Sequence, residues 1–217
     1  MHIPGHGFLS TPVAGAAWAM AAASIMQSVK MIRHRVTARG LVKAALLAAF
    51  VFTAQLQIFD FPVGGTTAHV IGAMLLAALA GPYAATVIMS MVLTLQWTLL
   101  GDGGFASLGA NIVSMAVVAP WAGWAVYRSI AAMRDGTAVN SMALFAGSWV
   151  SMVAAASVCA LELSVSGASA LNVVLPSMVR SHATAGIVEG AVTLVIVFAF
   201  RAIEAKIDVI SSREARP

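Results

Sequence analysis

A histidine at position 2, directly behind an amino-terminal methionine, sets up a chelate. The α-amine of Met1, the peptide nitrogen of His2 and the His2 imidazole lie on one short backbone path. A late first-row divalent ion can bind the amine, displace the amide proton and take Nδ1, closing fused rings with three nitrogens in a plane. A histidine from elsewhere in the chain can complete the square. Square-planar nitrogen coordination favours Ni²⁺ or Cu²⁺, admits Co²⁺ and rules against hard ions such as Mg²⁺ and Ca²⁺. Methionine is expected to be retained here, because the usual aminopeptidase removes it only before small residues.

Four further histidines occur, at positions 6, 34, 69 and 182. His34 lies in the basic stretch KMIRHRVTAR and reads as a solvated loop residue. The others fall near the ends of apolar runs, and ionisable or metal-binding side chains near membrane depth are functional candidates by default. In SHATAGIVEG, His182, Gly186 and Glu189 are spaced by four and three, so they share one face of a helix. A carboxylate inside an apolar span faces the bundle interior with a partner; His182 and Asn111 are the candidates for Glu189. GDGGFASLGAN, at 101–111, reads as a glycine-rich turn. Its Asp102, with Asp60, makes that face mildly attractive to cations, an effect weakened by physiological salt.

The elements that position these residues must cross a bilayer. The chain has 217 residues, of which 60% are hydrophobic and 9% charged, with a mean hydropathy of +0.93. Soluble domains carry about a quarter charged residues, so this composition defines an all-α polytopic membrane protein. Runs long enough to span fall near 10–28, 41–58, 68–82, 83–100, 107–127, 140–164 and 182–203. The third is short, and Gly81–Pro82–Tyr83 is the only break available to end it. Pro120 is expected to kink the fifth span. The stripe of small residues from Ala14 to Ser24 permits close approach of another helix, within this bundle or in a membrane partner.

The basic residues give an orientation. Of 12 Lys and Arg, only Arg180 falls among the loops opposite to those holding Lys30, Arg33, Arg35, Arg39, Lys43, Arg128, Arg134, Arg201, Lys206, Arg213 and Arg216. Basic loops stay cytoplasmic, so seven transmembrane helices put the amino terminus outside and the carboxyl terminus in the cytoplasm. His2, His6, His69 and His182 then share the outer side. The first span, with a neutral head and basic residues behind it, reads as an uncleaved anchor. The high pI of about 9.8 is thus a topology signal, and no nucleic-acid partner is expected. The chain divides into a segment 1–9, a bundle 10–203 and a cytoplasmic tail 204–217. The lone Cys159 lies in an apolar run and builds no disulfide framework.

Several chemistries are missing. There is no GxxxxGK[ST] phosphate loop, so ATP hydrolysis by that route has no seat in this chain. There is no HExxH, and no internal repeat of the kind that builds many secondary transporters.

The chain resembles the cobalt and nickel capture subunits of energy-coupling-factor transporters, the CbiM/NikM family. The resemblance runs through most of its length and rests on MHIP…GFLS, GGTTAHVIGA around His69, GPYAA after it, LLGDGGFASLGANIVSMAVV at 99–118 and SHATAGIVEG at 181–190. It implies a seven-helix, multi-pass protein of the cell (inner) membrane that binds Co²⁺ or Ni²⁺ from outside. The implied ligands are the amine of Met1, the amide and imidazole of His2, and His69. His6, His182, Glu189, Asn111 and Asp102 are accessory candidates around that set. The implied partners are a membrane coupling subunit, cytoplasmic ATPase subunits that supply the energy, and often a small additional membrane subunit. The metal is cargo, and no catalytic cofactor is implied. One departure stands out: Gly5–His6 replaces the family's single acidic residue and lengthens the opening loop by one. Ala68 also stands where glycine is common.

Two other readings have distinct signatures. An intramembrane metal-dependent hydrolase would use His69, His182 and Glu189 around an open-site metal with bound water. A purely structural membrane subunit would bind no stoichiometric metal.

Overall fold

The computed structural model describes residue 3 and residues 7–60 and 67–214. Seven helices and one short β-ribbon are present among them. α1 spans Thr11–Ile32, with Pro12 in its first turn, where a missing N–H costs nothing, and Lys30 in its last. A 3₁₀ turn at Arg33–Arg35 leads to α2, Ala38–Gln55, whose first turn is capped by Thr37 Oγ1 accepting from Gly40 N–H at 3.1 Å. β1, Ile58–Asp60, pairs antiparallel with β2, Thr67–His69, in the register Ile58 opposite His69.

α3 is only Ala73–Ala80, followed after Gly81 by α4, Pro82–Leu100. α5 runs Phe105–Ala131, α6 Thr137–Val165 and α7 Leu171–Glu214. Five of the seven helices, α2, α4, α5, α6 and α7, are long and apolar enough to cross a membrane. α7 passes position 204 without a break.

The third segment departs most from the expected span at 68–82. Gly72 sits at φ +76°, a left-handed conformation that helix cannot propagate through, and an added Cβ there would lie 2.9 Å from Val51 Cγ2. Residues 67–69 are therefore strand, and the helix begins only at Ala73. Gly81, at φ +85°, ends it where the GPY motif predicts. What remains is eight residues, with Ala73, Met74, Leu75, Leu76 and Ala77 all fully buried. A helix apolar on every side belongs at the centre of a bundle. α3 packs against α4, α5, α6 and α7, and its polar approach from β2 is carried down among them.

Two other expectations are corrected. The seventh helix starts at Leu171 rather than 182, so His182 lies three turns inside it. Pro176 does not stop it, because it withdraws a single N–H near the helix start. Pro120 does not simply kink α5. Seven residues ahead of Ala119 and the proline, Ile112–Val118, open into a π-helix, and Ala119 N–H bonds back to Ser114 O, five residues earlier. A wider turn relieves the clash that the proline ring would make with the preceding carbonyls.

Small residues set the helix spacings. Ala14, Ala17 and Ala21 are the buried face of α1, which packs on α4 and α5, so the small-residue stripe serves internal packing. A Cβ on Gly109 of α5 would come 2.8 Å from Trp18 N, and Trp18 Nε1 donates to Phe105 O at 2.9 Å. Gly123 of α5 and Gly147 of α6 face each other, each carbonyl 2.7 Å from where the other's Cβ would be. α2 packs mainly on α4, and is tied to α7 near its start by Lys43 and Glu204 at 2.8 Å.

Candidate metal site

Met1, His2 and His6 lie outside the described residues. Ile3 is described, and it is buried to 1% exposure. Its N–H donates to Asn111 Oδ1 at 2.9 Å. Asn111 is itself buried in the first turns of α5, so it serves as an internal acceptor for the opening segment. The glycine-rich loop makes the rest of this seat. At Gly103, φ is +73°, and a Cβ would stand 3.3 Å from Ile3 O and 3.2 Å from Asn111 Nδ2. Gly104 N–H donates to Ser107 Oγ at 3.0 Å, closing the start of α5. GDGG is therefore more than a turn: a side chain at 103 would crowd the Ile3 carbonyl and the Asn111 amide. Asp102 is exposed beside this seat. Its N–H donates to Gln96 O at 3.3 Å and, with Gly101 at φ +67°, completes the C-cap of α4.

His69 is the last residue of β2 and is buried to 7% exposure. Its Nδ1 lies 3.0 Å from the Val70 carbonyl, a contact that assigns the proton to Nδ1 and the ring lone pair to Nε2. Directly behind it, residues 70–72 are neither strand nor helix, and side chains hold them. Both Glu189 oxygens accept backbone N–H groups, from Ile71 at 2.8 Å and from Gly72 at 2.7 Å. The Ile71 carbonyl accepts from Gln55 Nε2 at 2.7 Å. A carboxylate here also suits the N-terminal end of α3, where peptide N–H groups lack helical acceptors.

Glu189 is thus engaged with backbone, and neither His182 nor Asn111 is its partner. Helical spacing places His182 and Glu189 along one face, but the bonds of Glu189 go across to α3. His182 is buried to 1% exposure, with Nδ1 2.8 Å from Met178 O and 3.1 Å from Ser181 Oγ. Its Nε2 has no hydrogen-bond partner among the described residues. Among those residues no three His, Cys, Asp or Glu side chains converge into a metal-ready group.

Gln55 escaped notice in the sequence. The signal was present: an amide inside the apolar run AFVFTAQL, where an unpaired polar group is costly enough to need a partner.

An all-helical, multi-pass membrane protein with a polar seat at the head of its central helix is the class that these features define. The family model described as cobalt uptake substrate-specific transmembrane region matches residues 2–207, and the chain belongs to this CbiM family. An Archaeoglobus fulgidus protein, provisionally named as a fused nickel transport protein, is 36% identical over 220 residues, covering 99% of this chain and 70% of that protein. The cobalt transport protein CbiM of Geobacter sulfurreducens is 32% identical over 205 residues, covering 89% of this chain and 57% of that one. A crystal structure of a transition metal transporter superposes with a TM-score of 0.87 at 32% identity, over the whole of both chains. The chain is therefore a substrate-specific transmembrane component of cobalt or nickel uptake, a transport subunit and not an enzyme. The hydrolase reading is set aside by that membership.

Proposed function

We propose that this chain captures Ni²⁺ or Co²⁺ at the extracytoplasmic face of the cell membrane, with the Met1 amine, the His2 amide and imidazole nitrogens, and His69 Nε2 as ligands. The observation that carries the reading is the buried bond from Ile3 N–H to Asn111. It anchors the residue that follows the chelating pair inside the bundle, where a buried N–H requires an internal acceptor. Burial of His69 with its Nδ1 turned to a backbone carbonyl supports the fourth nitrogen.

In this reading residues 1–9 are the metal-binding segment of a single membrane domain, 10–203 the bundle and 204–217 a cytoplasmic tail. The bias of Lys and Arg supports an outside amino terminus. Asp102, Asn111, His182 and Glu189 are accessory residues around the ligands, and His6 is a further accessory candidate from the opening segment. The chain lacks a phosphate loop, so the energy comes from partners: a membrane coupling subunit, cytoplasmic ATPases and, in some assemblies, a small additional membrane subunit. Relatives named as fused and longer than this chain support such an extra membrane piece.

The test is metal content and Ni²⁺ titration of the purified protein beside its His69→Ala variant. Loss of tight one-to-one binding on substitution supports the ligand set. Unchanged binding removes His69 from it.

A further inference from the structure

The backbone of Ile71, two residues past His69, is held on both sides of its Cα. Glu189 of α7 takes its N–H and Gln55 of α2 donates to its carbonyl, at 2.8 and 2.7 Å. Glu189 also takes the N–H of Gly72, and Gln55 Nε2 lies 3.3 Å from Met89 Sδ. Gln55, Ile71 and Glu189 are all buried, so water does not readily replace a lost partner. The segment they grip lies between the end of β2 and the start of α3, outside any ladder or helix of its own. Side chains from two helices, rather than repeating backbone bonds, therefore decide where it runs. Gly72, in its left-handed turn against Val51, permits that path and no continuous helix.

We propose that Gln55 and Glu189 are positioning residues for the metal ligand His69. By fixing the two peptide groups that flank the Ile71 Cα between α2 and α7, they set where the imidazole stands relative to the other three nitrogens. Neither side chain needs to touch the ion. A displaced peptide at 71 swings the chain at 69, and a square-planar site tolerates little movement of one corner. This inference rests on the reading that His69 is a ligand.

The experiment uses the full chain with its native start, purified in detergent, and Ni²⁺ alone as probe. Glu189→Gln, which keeps the size but only one acceptor oxygen, and Gln55→Leu, which removes the donor, are compared with the parent and with His69→Ala. Affinity, the visible absorption of the Ni²⁺-saturated protein and the apo thermal midpoint are read together. Each folded variant is expected to bind about ten- to a hundredfold more weakly, as is usual for groups that orient a ligand. Its saturated absorption should shift toward that of His69→Ala, because one in-plane nitrogen has moved. A folded variant with parental affinity and spectrum overturns the proposal. So does weaker binding with an unchanged saturated spectrum, which marks a general stabilising role. If Glu189→Gln fails to fold, Gln55→Leu decides by the same criteria. Parental binding by His69→Ala defeats the ligand reading itself, and is distinguishable because it needs neither clamp variant.

Discussion

Asn111 accepts the backbone N–H of Ile3 across 108 residues of chain, at 2.9 Å and in the interior of the protein. A buried donor left without its acceptor costs about 1–3 kcal/mol. Asn111→Ala removes the acceptor and none of the proposed ligands. The segment then docks less favourably, and each 1.4 kcal/mol lost in docking lowers apparent ion affinity about tenfold. Ni²⁺ titration should show a loss of about tenfold, with the saturated spectrum unchanged because all four nitrogens remain.

Gly103 and Gly15 make a matched pair of glycines. Gly103→Ala meets both a left-handed backbone and the Ile3 carbonyl 3.3 Å from the new methyl, whereas Gly15 has nothing within 4 Å. Alanine at 103 should displace the opening segment, seen as faster protease cleavage near residue 7 and weaker ion binding. Alanine at 15, in mid-helix, should leave binding unchanged and raise helix stability by about 0.5–1 kcal/mol.

The close crossing of α5 and α6 is similarly specific. A methyl on Gly123 would stand 2.7 Å from the Gly147 carbonyl and 3.0 Å from Ser151 Cβ. Backbone is the obstacle, so no rotamer change relieves it. Gly123→Ala should lower stability by about 1–3 kcal/mol. A lowered thermal midpoint of the apo protein checks this.

Protons compete with the ion at every proposed ligand. The free amine titrates at about 7.7–8.0 and an ordinary imidazole at about 6.5, and binding requires both to be deprotonated and the amide proton to be displaced. The amide alone releases a proton throughout the accessible range. Affinity should therefore fall at least tenfold for each unit of pH lost, more steeply below about pH 8 as the amine protonates and more steeply again below about pH 6.5 as the imidazoles do. Calorimetry in buffers of different protonation enthalpy, across pH 6 to 8, counts the released protons directly.

Much of this architecture is legible in the sequence. Apolar length marked the helices, and GPY marked the break between α3 and α4, because both depend on local composition. The short, buried α3 was not legible. Gly72 and the extended turn before it depend on Glu189, 117 residues away, and no local periodicity reports such a partner. The start of α7 was missed because SGASALNVVLPS reads as loop from its small residues and Pro176, while packing of the helix overrides both. The π-helix before Pro120 follows from the proline, but its choice over a simple bend is a matter of tertiary fit. For the site, chemistry pointed to a Met1–His2 chelate completed by some other histidine, and only the family resemblance chose His69. Spacing put Glu189 on one face with His182 but gave it the wrong partner, which lies across on the residues before α3.

The most direct test of the account is to place one alanine ahead of Met1 and measure Ni²⁺ and Co²⁺ binding beside the native chain. The extension turns the chelating amine into an ordinary peptide nitrogen and leaves every histidine in the sequence. Tight one-to-one binding by the native form and its loss in the extended form is the predicted result. Equal binding by both would contradict the proposed chelate, and would show that the terminal amine is not among the ligands.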